Sequence, residues 1–127
     1  KLLSKPYPYS LIKTKKDKFM ELHIKDRLLI PSLFPSKNNF MGFHLKKSII
    51  DKIAITEQDK KDYSIVEKPE ENKIEWDVHK DIETPLVVDF STEELRYMTQ
   101  SCEALSEQEM PDEIWAVAEK IYNEAQQ

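Results

Sequence analysis

The stretch STEELRYMTQSCEAL, residues 91–105, decides the fold class. Ser91-Thr92-Glu93-Glu94 is a capping box: the Ser91 hydroxyl and the Glu94 carboxylate each satisfy a backbone N–H that a helix start leaves free. Leu95, Met98, Cys102 and Leu105 follow at 3-4-3 spacing, the repeat of a helix with one apolar stripe. Pro111 opens a second helix where its missing N–H does no harm, and Asp112 and Glu113 suit the positive end of the helix dipole. Ile114, Ala118, Ile121 and Ala125 form its stripe, with Trp115 and Tyr122 beside it. Two such stripes in succession predict an antiparallel helical hairpin that closes over a sheet or over earlier helices.

Working back from that hairpin, the segments 64–66, 73–78 and 86–90 are short and rich in β-branched and aromatic residues, with charged turns between them. Ile74, Trp76 and Val78 alternate with Glu75, Asp77 and His79, which predicts one buried and one wet face. The expectation is a short antiparallel β-meander of two or three strands.

Further back, 19–24 suits a short strand, and 25–34 reads as a helix with Leu28, Leu29, Leu33 and Phe34 inward. Pro31 must bend or shorten that helix, because proline removes a hydrogen bond and crowds the carbonyl four residues back. Pro35 ends the element and Ser36-Lys37-Asn38-Asn39 is a loop by composition. Over 40–54, Leu45, Ile49 and Ile53 recur every four residues with Phe43 and Ile50 alongside. That is an amphipathic helix with Lys46, Lys47, Asp51 and Lys52 on its outer face. Thr56 with Asp59 starts a short helix ending near Tyr63. The fold class expected is therefore α+β: N-terminal helices, a short antiparallel β-meander and a C-terminal helical hairpin. It forms a single domain over 19–127, after a basic arm over 1–18 in which Pro6 and Pro8 favour extended chain.

Charge is divided along the chain. Residues 1–61 hold 14 basic and 6 acidic side chains, and residues 62–127 hold 5 and 18, so the halves stand at +8 and −13 for a net −5. Such asymmetry points to partners of opposite charge, a second copy of the chain among them. Lysine outnumbers arginine 17 to 2, which disfavours base-specific DNA reading, since that depends on the planar arginine fork; it is also the bias of an AT-rich genome. Gly42 is the only glycine, so neither a P-loop nor a dinucleotide-binding turn is present. The 39% hydrophobic content is low, yet it falls in periodic clusters, which argues for a folded chain.

Catalytic and metal chemistry find little support. His23, His44 and His79 lie far apart, with no helical pair and no second cysteine to complete a zinc site. Cys102 sits on an apolar stripe, where its thiolate is disfavoured, so it packs rather than reacts. The acids from Glu67 to Asp89 lack the spacing and central glycine of a calcium loop. They read as a solvated edge that blocks strand aggregation, with imitation of nucleic acid as the sharper alternative. The expectation is no enzyme, no cofactor and no metal. A lone cysteine and the absence of a secretory start lead to the expectation of a cytoplasmic chain, and apolar runs such as Leu28-Leu29-Ile30 are far too short for a membrane.

Three helices followed by a hairpin also match the order of a winged helix, with Glu57-Gln58-Asp59-Lys60-Lys61-Asp62 as recognition helix. Its acids would face phosphates. Finally, the succession Arg27-Leu28-Leu29, Leu33-Phe34-Pro35, Asn39-Phe40, a helix ending at Thr56-Glu57, Ile74-Glu75-Trp76 and two short helices resembles a group of small uncharacterised phage and prophage proteins of low-GC Gram-positive bacteria. The resemblance covers about 21–124 and excludes the arm; family members carry Gly-Asn-Phe where this chain has Asn38-Asn39-Phe40. It implies a phage origin, hence a host-cell cytoplasm, and no assigned activity. The function expected is that of a non-enzymatic phage accessory protein acting through protein–protein interaction or self-association. The alternative is a nucleic-acid-binding regulator of winged-helix-like type that uses the lysine-rich half. The candidate interaction residues are Lys13, Lys15, Lys16, Lys18, Lys46, Lys47, Lys60 and Lys61.

Overall fold

Alternation in Phe19-Met20-Glu21-Leu22 turns Met20 and Leu22 to one side, and that apolar edge needs a partner with the same period. In the computed structural model, which describes residues 18–125, the partner comes from the other half of the chain. Strand β1 (Lys18–Leu22) runs antiparallel to the strand Leu86–Phe90, with Met20 opposite Val88 and Leu22 opposite Leu86. Met20, Leu22, Val88 and Phe90 are all buried.

The expected antiparallel strands are present, but in two separate ladders rather than one run. β2 (Val66–Lys68) and β3 (Lys73–Glu75) form their own hairpin across a 3-10 turn, Pro69–Glu71, and Asn72 in the left-handed region. The strand expected over 73–78 stops early because Asp77 caps a helix, α4 here (Val78–Glu83), its carboxylate accepting from Lys80 N at 3.1 Å. A side-chain cap of this kind offers the backbone an alternative to the ladder. Ile74 and Val78, expected on a buried face, are exposed. The strand Leu86–Phe90, now β4, is thereby free to join β1.

The first of the remaining helices, α1 (Ile24–Leu29), begins directly after β1, with the Asp26 carboxylate accepting from His23 N at 3.0 Å. At Pro31 it tightens into a 3-10 turn, Ile30–Leu33, which is the shortening expected of a proline that cannot donate. Ile24, Arg27, Ile30, Leu33 and Phe34 point inward, whereas Leu28 and Leu29 are only half-buried. Leu33 and Phe34 face inward as expected, but before them Ile24, Arg27 and Ile30 take the place of Leu28 and Leu29, which puts a guanidinium in the interior. Arg27 donates from Nε to the Ile53 carbonyl at 2.9 Å and from Nη2 to the Ala54 carbonyl and Asp59 Oδ2, each at 2.7 Å. It satisfies carbonyls at the end of α2 (Phe40–Ile53) and holds the start of α3 (Glu57–Asp62). At the other end of α2, Asn39 Oδ1 accepts from Gly42 N at 2.8 Å. A Cβ at Gly42 would lie 3.1 Å from that oxygen and 3.3 Å from Asn38 Cβ, so the one glycine makes room for this cap.

The C-terminal helical hairpin is present as read from the stripes: α5 (Thr92–Leu105), capped by Ser91, packs on α6 (Asp112–Ala125). Leu95, Met98 and Cys102 meet Ile114, Ala118 and Ile121 in one hydrophobic cluster that also takes in the β1–β4 face, the 3-10 turn after α1 and Ile49 and Ile53 of α2. The architecture is α+β, with helices on the buried side of a two-stranded ribbon. Among the described residues no helix is long and apolar enough to cross a membrane.

Candidate interaction surfaces

Of the lysines singled out in the sequence, Lys13, Lys15 and Lys16, with the rest of the arm up to Asp17, lie outside the described residues, and Lys18 is the first residue of β1. The other four are divided between two helices. On α2, Lys46 donates to the Pro35 carbonyl at 2.9 Å while Lys47 is exposed; on α3, Lys60 lies 3.3 Å from Glu57 and Lys61 is exposed. The fold also joins the two charged halves of the chain to each other. Lys25 meets Glu113 at 3.2 Å, Lys52 meets Glu94 at 2.6 Å, and Lys120 returns to Asp26 at 2.7 Å. Lys52 is exposed, as expected of the outer face of α2, and its ammonium reaches the buried Glu94 carboxylate at the start of α5.

The groups with chemical potential are engaged structurally. Burial pushes the Cys102 thiol up, the Glu103 charge adds to it, and Sγ faces the Ala118 carbonyl at 3.8 Å. A thiol kept neutral in this way is a poor nucleophile. Burial alone would raise the Glu94 carboxyl, but hydrogen bonds from Lys52 at 2.6 Å, Ser48 at 2.5 Å and Ser91 N at 2.8 Å outweigh it and hold the group below its ordinary value. Asp59 behaves alike: burial is opposed by Thr56 N, Arg27 and the Thr56 hydroxyl, and the net shift is downward. Asp81 accepts Ile24 N with both oxygens, at 3.1 and 3.2 Å, and His23 Nδ1 stands 3.6 Å from it. Among the described residues no three His, Cys, Asp or Glu side chains are grouped to hold a metal ion.

The order α1, α2, α3, hairpin is that of a winged helix, but its charges run the wrong way for phosphate. The tip of the β2–β3 hairpin carries Glu70 and Glu71, and α3 exposes Glu57 and Asp62. Each would repel the nucleic-acid backbone that such elements approach.

A surface that the sequence reading placed otherwise opens at the start of α2. Phe40, Met41 and Phe43 are 77%, 65% and 53% exposed, although Phe43 was expected beside the buried stripe. The rings cluster on the helix: Phe40 and His44 stand edge to face at 4.3 Å between centroids, and Phe43 and His44 at 5.4 Å. Phe40, Phe43, His44 and Lys47 thus make one outward stripe at helical spacing. On the flank toward α5, Met41 and Leu45 border a groove closed by Arg96, Tyr97 and Gln100, where the Tyr97 hydroxyl donates to Asn38 Oδ1 at 2.6 Å. A second open trough lies between α5 and α6, with Trp115, Tyr122, Glu103 and Glu119 around it. The sequence did carry a signal for part of the first surface: Phe40 falls off the Leu45-Ile49-Ile53 repeat, so a helix that buries that repeat leaves it outside. Met41 instead extends the repeat by one step and is exposed because nothing among the described residues covers the first turn of α2 there.

No protein-family model, no curated protein and no solved structure matches this chain.

Proposed function

We propose that this chain is a non-enzymatic phage accessory protein of the host cytoplasm that works by protein–protein contact through the start of α2. One observation carries the reading: three large apolar side chains lie exposed within a single turn and a half of α2. Side chains of this size bury on the order of 200 Å² each, so the three leave roughly 400 Å² in water, comparable to the largest apolar patch of a typical monomer, which is often a functional surface. The resemblance to phage proteins with no assigned activity supports the class, as does a single thiol that is held neutral and buried.

A photo-crosslinking residue in place of Phe40, in cells producing the full chain, tests the reading; one in place of the exposed Glu83 on α4 is the control. A discrete protein adduct from position 40, absent from position 83, is the expected outcome. Identical adduct patterns from the two positions would remove the patch as a contact site. Retardation of duplex DNA at low salt, with affinity falling steeply as salt rises, would instead transfer the function to the lysines of the N-terminal half.

A further inference from the structure

We infer that one partner of the α2 stripe is a second copy of this chain, whose α5–α6 trough receives it. The inference rests on the proposed contact role of α2 and names its occupant. The two surfaces match in chemistry. The stripe joins the rings of Phe40 and Phe43 to the cation of Lys47, and the trough joins the rings of Trp115 and Tyr122 to the carboxylates of Glu103 and Glu119. Among the described residues neither Lys47 nor Glu119 has an ion-pair partner, so each charge is available to the other surface. Among the described residues the Glu103 carboxylate accepts one long bond, 3.4 Å from the Tyr122 hydroxyl, which keeps that ring at the trough rim.

The trough is apolar in its floor, where Cys102 and Ala118 meet, and acidic at its edges, the pattern of a seat for aromatic anchors with a charged rim. α2 and α6 both pack against α5, while the stripe projects from the side of α2 opposite the buried Ile49 and Ile53. Stripe and trough are therefore different surfaces of one molecule: two copies related by a two-fold axis would exchange both contacts and close as a dimer, and any other operator leaves a free stripe and a free trough on each pair. The area is modest. Phe40 and Phe43 leave roughly 260 Å² of ring surface in water, about a third of what each partner buries in a standard interface, so the association is weak and depends on concentration.

Sedimentation velocity of the full chain over a concentration series is the test. The expected weight-average mass climbs from that of the monomer to twice it or beyond as concentration rises, and falls as added salt screens Lys47 and Glu119. A Phe40→Ser, Phe43→Ser double variant and a Glu119→Lys variant each weaken association at least about tenfold. Both change exposed side chains, so circular dichroism and the unfolding midpoint stay as in the unmodified chain; Lys47→Glu replaces the double variant if that one loses helix. Mixed in equal amounts, the stripe variant and the trough variant pair through the single intact contact and stop at a heterodimer. A monomer at every concentration overturns the inference, and the broader reading of α2 survives if position 40 still crosslinks to another protein. Association that the stripe variant abolishes and Glu119→Lys leaves unchanged also overturns it, since the stripes would then meet each other. So does a monomer whose stripe binds a single-stranded oligonucleotide instead.

Discussion

Glu94 combines two tasks that a sequence reader meets separately. Its backbone N–H and carboxylate complete the capping box with Ser91, and the same carboxylate takes the Lys52 ammonium and the Ser48 hydroxyl from α2. Because the folded carboxyl lies below its ordinary value, both folded and unfolded states are ionised at neutral pH and its full contribution is present there. As pH falls below the unperturbed 4.5, the unfolded chain takes up the proton first, and stability drains until the folded carboxyl protonates as well. Asp59, also lowered, adds to the same slope from its own ordinary 3.8. Urea midpoints measured from neutral to acid pH should therefore fall below 4.5, and Glu94→Gln should flatten the upper part of that slope. At neutral pH the substitution costs about 1 kcal/mol, discounted because Lys52 remains partly in water. The cap was legible from four adjacent residues. The Lys52 contact was not, because it joins positions 42 apart and nothing local to Lys52 distinguishes it from Lys47.

At the scale of elements, the ends were read better than the faces. Thr56 and Asp59 form the capping box expected of them, and α3 then closes with Ile65 N donating to the Lys60 carbonyl at 2.9 Å and Ser64 N to the Lys61 carbonyl at 3.4 Å. This is the Schellman pattern, in which the residue after the cap takes a left-handed conformation, and Ser64 does so at φ 52°. A side chain with a Cβ is strained there, so Ser64→Gly should raise stability by about 1 kcal/mol, read as a higher thermal midpoint. Asn72, at φ 54°, tolerates the same region better and should gain less from glycine. The faces misled in two places. Alternation over Ile74, Trp76 and Val78 promised a buried strand face, but the Asp77 cap starts α4 and leaves Ile74 and Val78 exposed. In α1 the two adjacent leucines drew the reading toward Leu28, whereas Arg27 faces inward because the carbonyls at the end of α2 need a donor.

In the molecule as a whole, stability should be uneven. β1, β4, α5 and α6 share the hydrophobic cluster, while no residue of β2, β3 or α3 belongs to its buried part. Amide hydrogen exchange should therefore be slowest at β4, α5 and α6 and fastest at the β2–β3 hairpin and at α4, which is tied to α1 mainly through Asp81. Equal protection across the hairpin and α5 would contradict that distribution. The lengthwise charge division reads differently once folded, since Lys25–Glu113 and Lys52–Glu94 join the halves internally and leave Lys47 and Glu119 among the charges still facing outward. By itself the sequence determined α2, α3, α5 and α6, the Thr56 and Ser91 caps, the C-terminal hairpin and the α+β class, because periodicity and capping act between residues a few positions apart. Only the tertiary structure decided that β4 pairs with β1, that Arg27 turns inward, that Lys52 reaches Glu94, and that Phe40 and Phe43 stay in water. Those outcomes depend on which distant surface covers a given face, and such contacts leave no mark on the local pattern.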